Sequence, residues 1–233
     1  MWNRSVLIVG VSRTGKTTTM LKMMKKYYKD HMMVFINTKR EQKWDKYCRY
    51  INPSLELFQY MVGNHEKFTD GIIEVYMPSI LDENPIEYLE QFIKIIMEAH
   101  QENNFLKTVI AIDELHEFQS KMSVNKAIKR IASMGMGLGL FGIFCSQRWT
   151  DVHNDLITNA EIRICHALDL HDFEQTIRWM NFEKMFEDLG IEKPINAKDI
   201  SILFPQELDS DGRMISHRAY LQTNKVEGAK MLW

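Results

Sequence analysis

The run Gly10-Val11-Ser12-Arg13-Thr14-Gly15-Lys16-Thr17 carries the clearest chemistry in the chain. It fits the spacing G-x-x-x-x-G-K-[ST], which serves one purpose, cradling phosphate. The loop must curl until successive backbone N–H groups face one anion. Glycine permits the close approach and the unusual dihedrals. The helix that follows adds its positive N-terminal end. Gly10, Ser12, Arg13, Thr14, Gly15, Lys16, Thr17 and Thr18 are therefore expected to line a nucleotide, ATP. Lys16 would reach the β- and γ-phosphates, and the Thr17 hydroxyl would ligate Mg²⁺.

A second constellation follows the apolar run Val109–Ile112, which ends in Asp113 and Glu114. Asp113 would hold the Mg²⁺ shell, in part through water. Glu114 would polarise the attacking water. Phosphoryl transfer needs metal neutralisation and a positioned nucleophile, and these two carboxylates supply both. His116, just beyond them, reads as a surface or supporting histidine. A third apolar run, Phe141–Cys145, ends in Ser146-Gln147-Arg148. In a P-loop ATPase with an added central strand, that tip lies between the phosphate loop and the acidic strand, so Gln147 can touch the γ-phosphate or its water.

The elements that must position these residues alternate between strand and helix, which argues an α/β fold with a mostly parallel sheet and helices on both faces. Strands are expected over Ser5–Val9, Met33–Asn37, Ile72–Met77, Thr108–Ile112, Leu140–Cys145 and Ile162–Leu168. Helices are expected over Thr17–Tyr28, from Asn84-Pro85 onward, where a capping box ends at Glu87, over Val124–Met134, and over Asp172–Leu189. Gly135–Gly139 reads as a glycine-rich turn, and Asp209–Gly212 as the turn of a hairpin. Residues 1–193 form the expected core, with 194–233 a small β appendage packed on it rather than an independent domain.

Composition sets the bounds. The chain has 233 residues, 45% of them hydrophobic and 26% charged, which excludes a disordered or fibrous class. No window reaches the roughly 18 apolar residues of a membrane span. The opening residues run straight into a strand, so no signal peptide is expected. Cys48, Cys145 and Cys165 fit neither a disulfide framework nor a zinc site, and with these features indicate the cytoplasm. Net charge is −2, but residues 1–50 hold 12 Lys and Arg against 3 Asp and Glu. That surplus suggests a phosphate-facing surface, with Lys39, Arg40 and Lys43 as candidates for a DNA-facing or intersubunit contact and a solvated loop as the alternative.

The phosphate loop, Ile112-Asp113-Glu114-Leu115-His116, a helix, a glycine-rich segment, Ser146-Gln147-Arg148 and Asn159-Ala160-Glu161-Ile162-Arg163 occur in that order. The set, over roughly residues 4–180, resembles the FtsK–HerA superfamily of RecA-like (ASCE) P-loop ATPases. The resemblance implies a DNA-pumping motor that works as a pentameric or hexameric ring. The compact chain is most similar to viral genome-packaging ATPases, which implies host cytoplasm with transient presence at the virion, and capsid or membrane-associated virion proteins as further partners. Two departures stand out. Trp149 follows Gln147-Arg148 where many relatives have proline, and Met136 occupies the glycine-rich segment where relatives often carry arginine. If that arginine completes a neighbouring subunit's site, Arg130, Arg148 or Arg163 must replace it. An ATPase for protein or virion assembly, of the filamentous-phage type, and a nucleotide-gated binding module are the alternatives.

Overall fold

The computed structural model describes residues 5–28, 30–39, 44–77, 85–102, 107–119, 122–167, 172–180, 182 and 187, and four short stretches at 207–208, 214–215, 220–222 and 230–231. In chain order the elements are β1 (Val6–Val9), α1 (Lys16–Tyr27), β2 (Met32–Asn37), β3 (Cys48–Ile51), α2 (Leu55–Gly63), β4 (Ile72–Tyr76), α3 (Pro85–Glu102), β5 (Thr108–Ile112), α4 (Lys126–Leu138), β6 (Leu140–Ser146), α5 (Asn154–Asn159), β7 (Ile162–Cys165), α6 (Phe173–Met180), β8 (Glu207–Leu208), β9 (Met214–Ile215), β10 (Tyr220–Gln222) and β11 (Lys230–Met231).

Nine of the strands form one sheet in the order β11-β10-β7-β1-β6-β5-β2-β4-β3. The seven from β7 to β3 pair in parallel. β10 and β11 extend the β7 edge in antiparallel fashion, and β8 pairs with β9 separately. The apolar runs are continuous because parallel strands are buried on both faces. Alternate residues then divide between two cores. Val6, Ile8, Met33, Phe35, Val109, Ala111 and Ile143 meet α1 through Met20, Leu21 and Met24. Leu7, Val9, Val34, Ile36, Ile110 and Ile112 meet α2, α3, α4 and α5 through Phe58, Phe92, Ile128 and Leu156. This is the expected α/β RecA-like P-loop fold, with helices on both faces and the loop after β1 at the carboxyl ends of the central strands.

Three local expectations change. The segment Cys48–Ile51 forms an additional edge strand, so Ile72–Tyr76 is the fourth strand rather than the third. The helix expected at Val124 begins at Lys126, because the Asn125 side chain accepts from the N–H groups of Ala127 and Ile128. The same helix runs through Gly135 and Gly137 to Leu138, so the glycine-rich turn is not one. Packing of Ile128 and Ile131 on the sheet outweighs the roughly 1 kcal/mol that each glycine costs a helix. Only Gly139, with φ +72°, ends it. Gly142 in β6 permits the close approach of this layer, since a methyl group there would stand 3.0 Å from Ile131 Cγ2 and 2.4 Å from Phe144 Cζ. The turn Asp209–Gly212 and the cap Asn84 lie outside the described residues, although β8 and β9 flank the former.

Candidate active site

The loop after β1 begins where Gly10 N donates to Ser146 O on one side and Val11 N donates to Ala167 O on the other. Arg13 and Gly15 adopt left-handed backbone, φ +67° and +91°. Gly15 is also the residue before α1, whose first turn carries neither a capping side chain nor an acid. Its orphan N–H groups and positive end are therefore left facing the loop. Ser12, Arg13 and Gly15 are exposed, Thr17 and Thr18 half-buried, and Thr14 and Lys16 buried. Both Thr14 Oγ1 (2.8 Å) and Lys16 Nζ (3.0 Å) donate to the Val11 carbonyl, which draws the loop around itself. Burial lowers the Lys16 ammonium below its ordinary range, against the opposing pull of Glu114 and Asp113.

Parallel pairing of β5 between β2 and β6 delivers the two carboxylates to the same sheet edge. Asp113 N donates to Ile36 O, and Asp113 Oδ2 accepts from Thr17 Oγ1 at 2.7 Å. Burial pushes the Asp113 carboxyl up, partly offset by the Thr17 bond. A hydroxyl and a carboxylate side by side are hard oxygen donors of the kind Mg²⁺ takes from protein, with phosphate and water completing its shell. The residues present therefore fit the ion.

Glu114 sits 4% exposed on left-handed backbone, φ +49°. A non-glycine residue held there costs about 1–3 kcal/mol, and such strain clusters at active sites. Its two carboxylate oxygens are engaged from different elements. Lys39 Nζ donates to Oε1, and Gln147 Nε2 donates to Oε2 at 3.0 Å. His116 Nδ1 stands 3.4 Å from Oε2. Burial alone would raise this carboxyl, but the bonds from Lys39 and Gln147 outweigh it and hold it below the usual range. Glu114 is thus ionised at neutral pH.

Lys39, read from charge as part of a polyanion-facing or intersubunit surface, keeps a half-exposed side chain whose ammonium bonds Glu114. Arg40 and Lys43 lie outside the described residues. The arginines also separate. Arg163 is 3% exposed, and it donates from Nε and Nη2 to Ile157 O and from Nη1 to Trp179 O. It ties α5 and α6 to β7 and, so held, cannot reach into another subunit. Arg148 is half-exposed, its Nε 3.8 Å from the buried Asp172 Oδ2. Arg130 is exposed on α4 beside α3. Sequence reasoning missed two residues that the structure brings here: Asn37, whose Oδ1 accepts from Lys39 N and whose Nδ2 donates to buried Glu74 (2.6 Å), and His166, beneath the phosphate loop.

Sheet order, loop and acidic corner together define a P-loop NTPase fold. A family model described as an AAA domain matches residues 3–143, and the chain belongs to that family. No curated protein matches by sequence. Among solved structures, the chain is similar to the genome packaging NTPase B204 from Sulfolobus turreted icosahedral virus 2 in complex with ATPγS, with TM-score 0.64, 16% identity, and 99% of this chain and 98% of that one covered. It is also similar to B204, the DNA-packaging ATPase from Sulfolobus turreted icosahedral virus, with TM-score 0.65, 13% identity, and 98% and 96% covered. Two ATPase domains of EssC from Geobacillus thermodenitrificans match with TM-score 0.50 and 16% identity over 98% of this chain and 39% of that one. Among the described residues, no helix is long and apolar enough to cross a membrane.

Proposed function

We propose that the chain is a Mg²⁺-dependent ATPase that couples hydrolysis to movement of double-stranded DNA, as in viral or mobile-element genome packaging. The observation that carries the reading is the meeting of two pairs at one sheet edge, Thr17 with Asp113 and Glu114 with Gln147. The first pair suits metal-assisted phosphate binding, the second an oriented water. The likeness to packaging ATPases of matching length supports the choice of DNA as the cargo.

In this account the loop N–H groups and Lys16 take the β- and γ-phosphates. Thr17 and, partly through water, Asp113 would hold Mg²⁺, which would neutralise charge on the phosphate oxygens. Glu114, ionised, accepts hydrogen bonding from the water that attacks the γ-phosphate, and Gln147 keeps the carboxylate oriented. Arg148 and Arg130 are the exposed arginines that suit the charge-stabilising role at a neighbouring subunit's nucleotide in a ring. Residues 194–233 serve as an appendage of the 1–193 core.

The test is the ATPase rate with and without duplex DNA, repeated as salt is raised. Phosphate contacts release counterions, so stimulation should fade steeply between about 50 and 200 mM salt. A rate indifferent to DNA would remove translocation and leave the protein-assembly reading. Mixing Arg148→Ala or Arg130→Ala subunits with Lys16→Ala subunits should restore part of the activity for the arginine that acts in trans. No restoration with either would contradict the ring.

A further inference from the structure

We infer that His166 is the positioning residue that locks the curl of the phosphate loop, an inference that rests on the reading of residues 10–17 as the phosphate cradle. β7 does not part from β1 where the two strands end. His166 N donates to Val9 O at 2.8 Å, and Ala167 O accepts from Val11 N at 2.8 Å. The extra register carries residue 166 under the loop, where it is 2% exposed.

There the imidazole bridges the loop and the helix that follows it. Nε2 lies 3.1 Å from Thr19 Oγ1 in α1, and the ring also bonds the Thr14 backbone. A methyl group on Gly10 would stand 2.6 Å from His166 Cβ, and one on Gly15 would stand 4.0 Å from Cε1. The need for glycine at position 10 is thus set by how closely the β7 extension approaches the loop, through a Cβ that most residues at 166 would carry, as well as by phosphate.

The two ring bonds span the segment that contains Gly15, and Arg13 immediately precedes it. Those two residues hold the left-handed backbone of the loop. Such conformations persist only where the surroundings over-determine them. Neutral imidazole suits the task because it offers one donor and one acceptor, enough to serve both contacts at once. A protonated ring would place a second cation beside Lys16. Burial and the Lys16 charge together push the ring down to about 4, which keeps it neutral. His166 does not itself face the phosphates. It acts by aiming the N–H groups that do, so its loss should fall on affinity and not on the chemical step.

The experiment measures the dissociation constant for a fluorescent ADP analogue, together with KM and kcat for ATP, in His166→Ala, His166→Gln and Thr19→Val. His166→Ala should weaken binding and raise KM tenfold or more, with kcat at saturation within threefold of wild type. His166→Gln retains a donor and an acceptor and should recover most of the affinity. Thr19→Val, nearly isosteric, should weaken binding about threefold and add nothing on top of His166→Ala. If His166→Ala does not fold, Thr19→Val and His166→Gln decide alone. Unchanged affinity in Thr19→Val, or a loss confined to kcat, overturns the lock. Lys16→Ala separates the two readings. If it loses binding while the His166 and Thr19 variants keep theirs, only the lock fails. If it binds as wild type does, the phosphate cradle itself fails and the lock falls with it.

Discussion

The phosphate loop and the acidic corner face each other across the carboxyl ends of the strands, yet they are built in opposite ways. The loop is local. Nearly everything it needs stands between Gly10 and Thr19, and its lysine bonds a carbonyl five residues away. The corner is assembled. Lys39 follows β2, Asp113 and Glu114 follow β5, and Gln147 follows β6, and only the parallel register brings them together. A local site tolerates little change at any one residue. An assembled one shares the holding of its central carboxylate among groups, Lys39 and Gln147, that can be removed singly.

Lys16→Ala should give the largest effect. It removes the buried loop lysine proposed to reach phosphate, and nucleotide affinity and turnover should each fall 100-fold or more, read by titration and by phosphate release. Retained affinity would mean that the loop is not the cradle. Gly10→Ala follows. The added methyl meets His166 Cβ and, at 3.2 Å, the Ala167 carbonyl, neither of which is the end of a flexible side chain. The loop must shift, and affinity should fall about tenfold with the melting temperature lowered by several degrees.

Lys39→Ala should be the mildest and the most specific. Its ammonium helps to hold Glu114 below the usual carboxylate range. Without it the Glu114 pKa rises. The base must be ionised to work, so the acid limb of the kcat/KM profile should move to higher pH while kcat near neutrality changes less than tenfold. An acid limb that stays in place would show that Lys39 does not tune this carboxylate.

The same contrast explains what could be read from the residues alone. Gly10, Gly15, Lys16 and Thr17 declare a phosphate loop by spacing, because the physics that demands them is local. Asp113 and Glu114 were legible as the end of an apolar strand, and the sheet class followed from alternating elements. The partner of Glu114 was not. Lys39 sits among many lysines, and nothing nearby distinguishes the one whose strand will lie beside β5. His166 was equally silent, a lone histidine after an apolar run, since its meaning depends on how far β7 follows β1. Arg163 stood among the candidates for a neighbouring subunit's site because periodicity does not show that its guanidinium bonds the carbonyls of Ile157 and Trp179. The glycines at 135 and 137 misled for the related reason that tertiary packing overrode their local preference for a turn.

The most direct test of the account is Glu114→Gln. The substitution keeps the size of the side chain and an acceptor toward Gln147 but removes the charge proposed to orient water. Binding of ATP with Mg²⁺ is measured by titration, and hydrolysis by single turnover on the same preparation. The account predicts affinity within threefold of wild type and a hydrolysis rate at least 100-fold lower. Hydrolysis at the wild-type rate with binding intact would place the base elsewhere and contradict it.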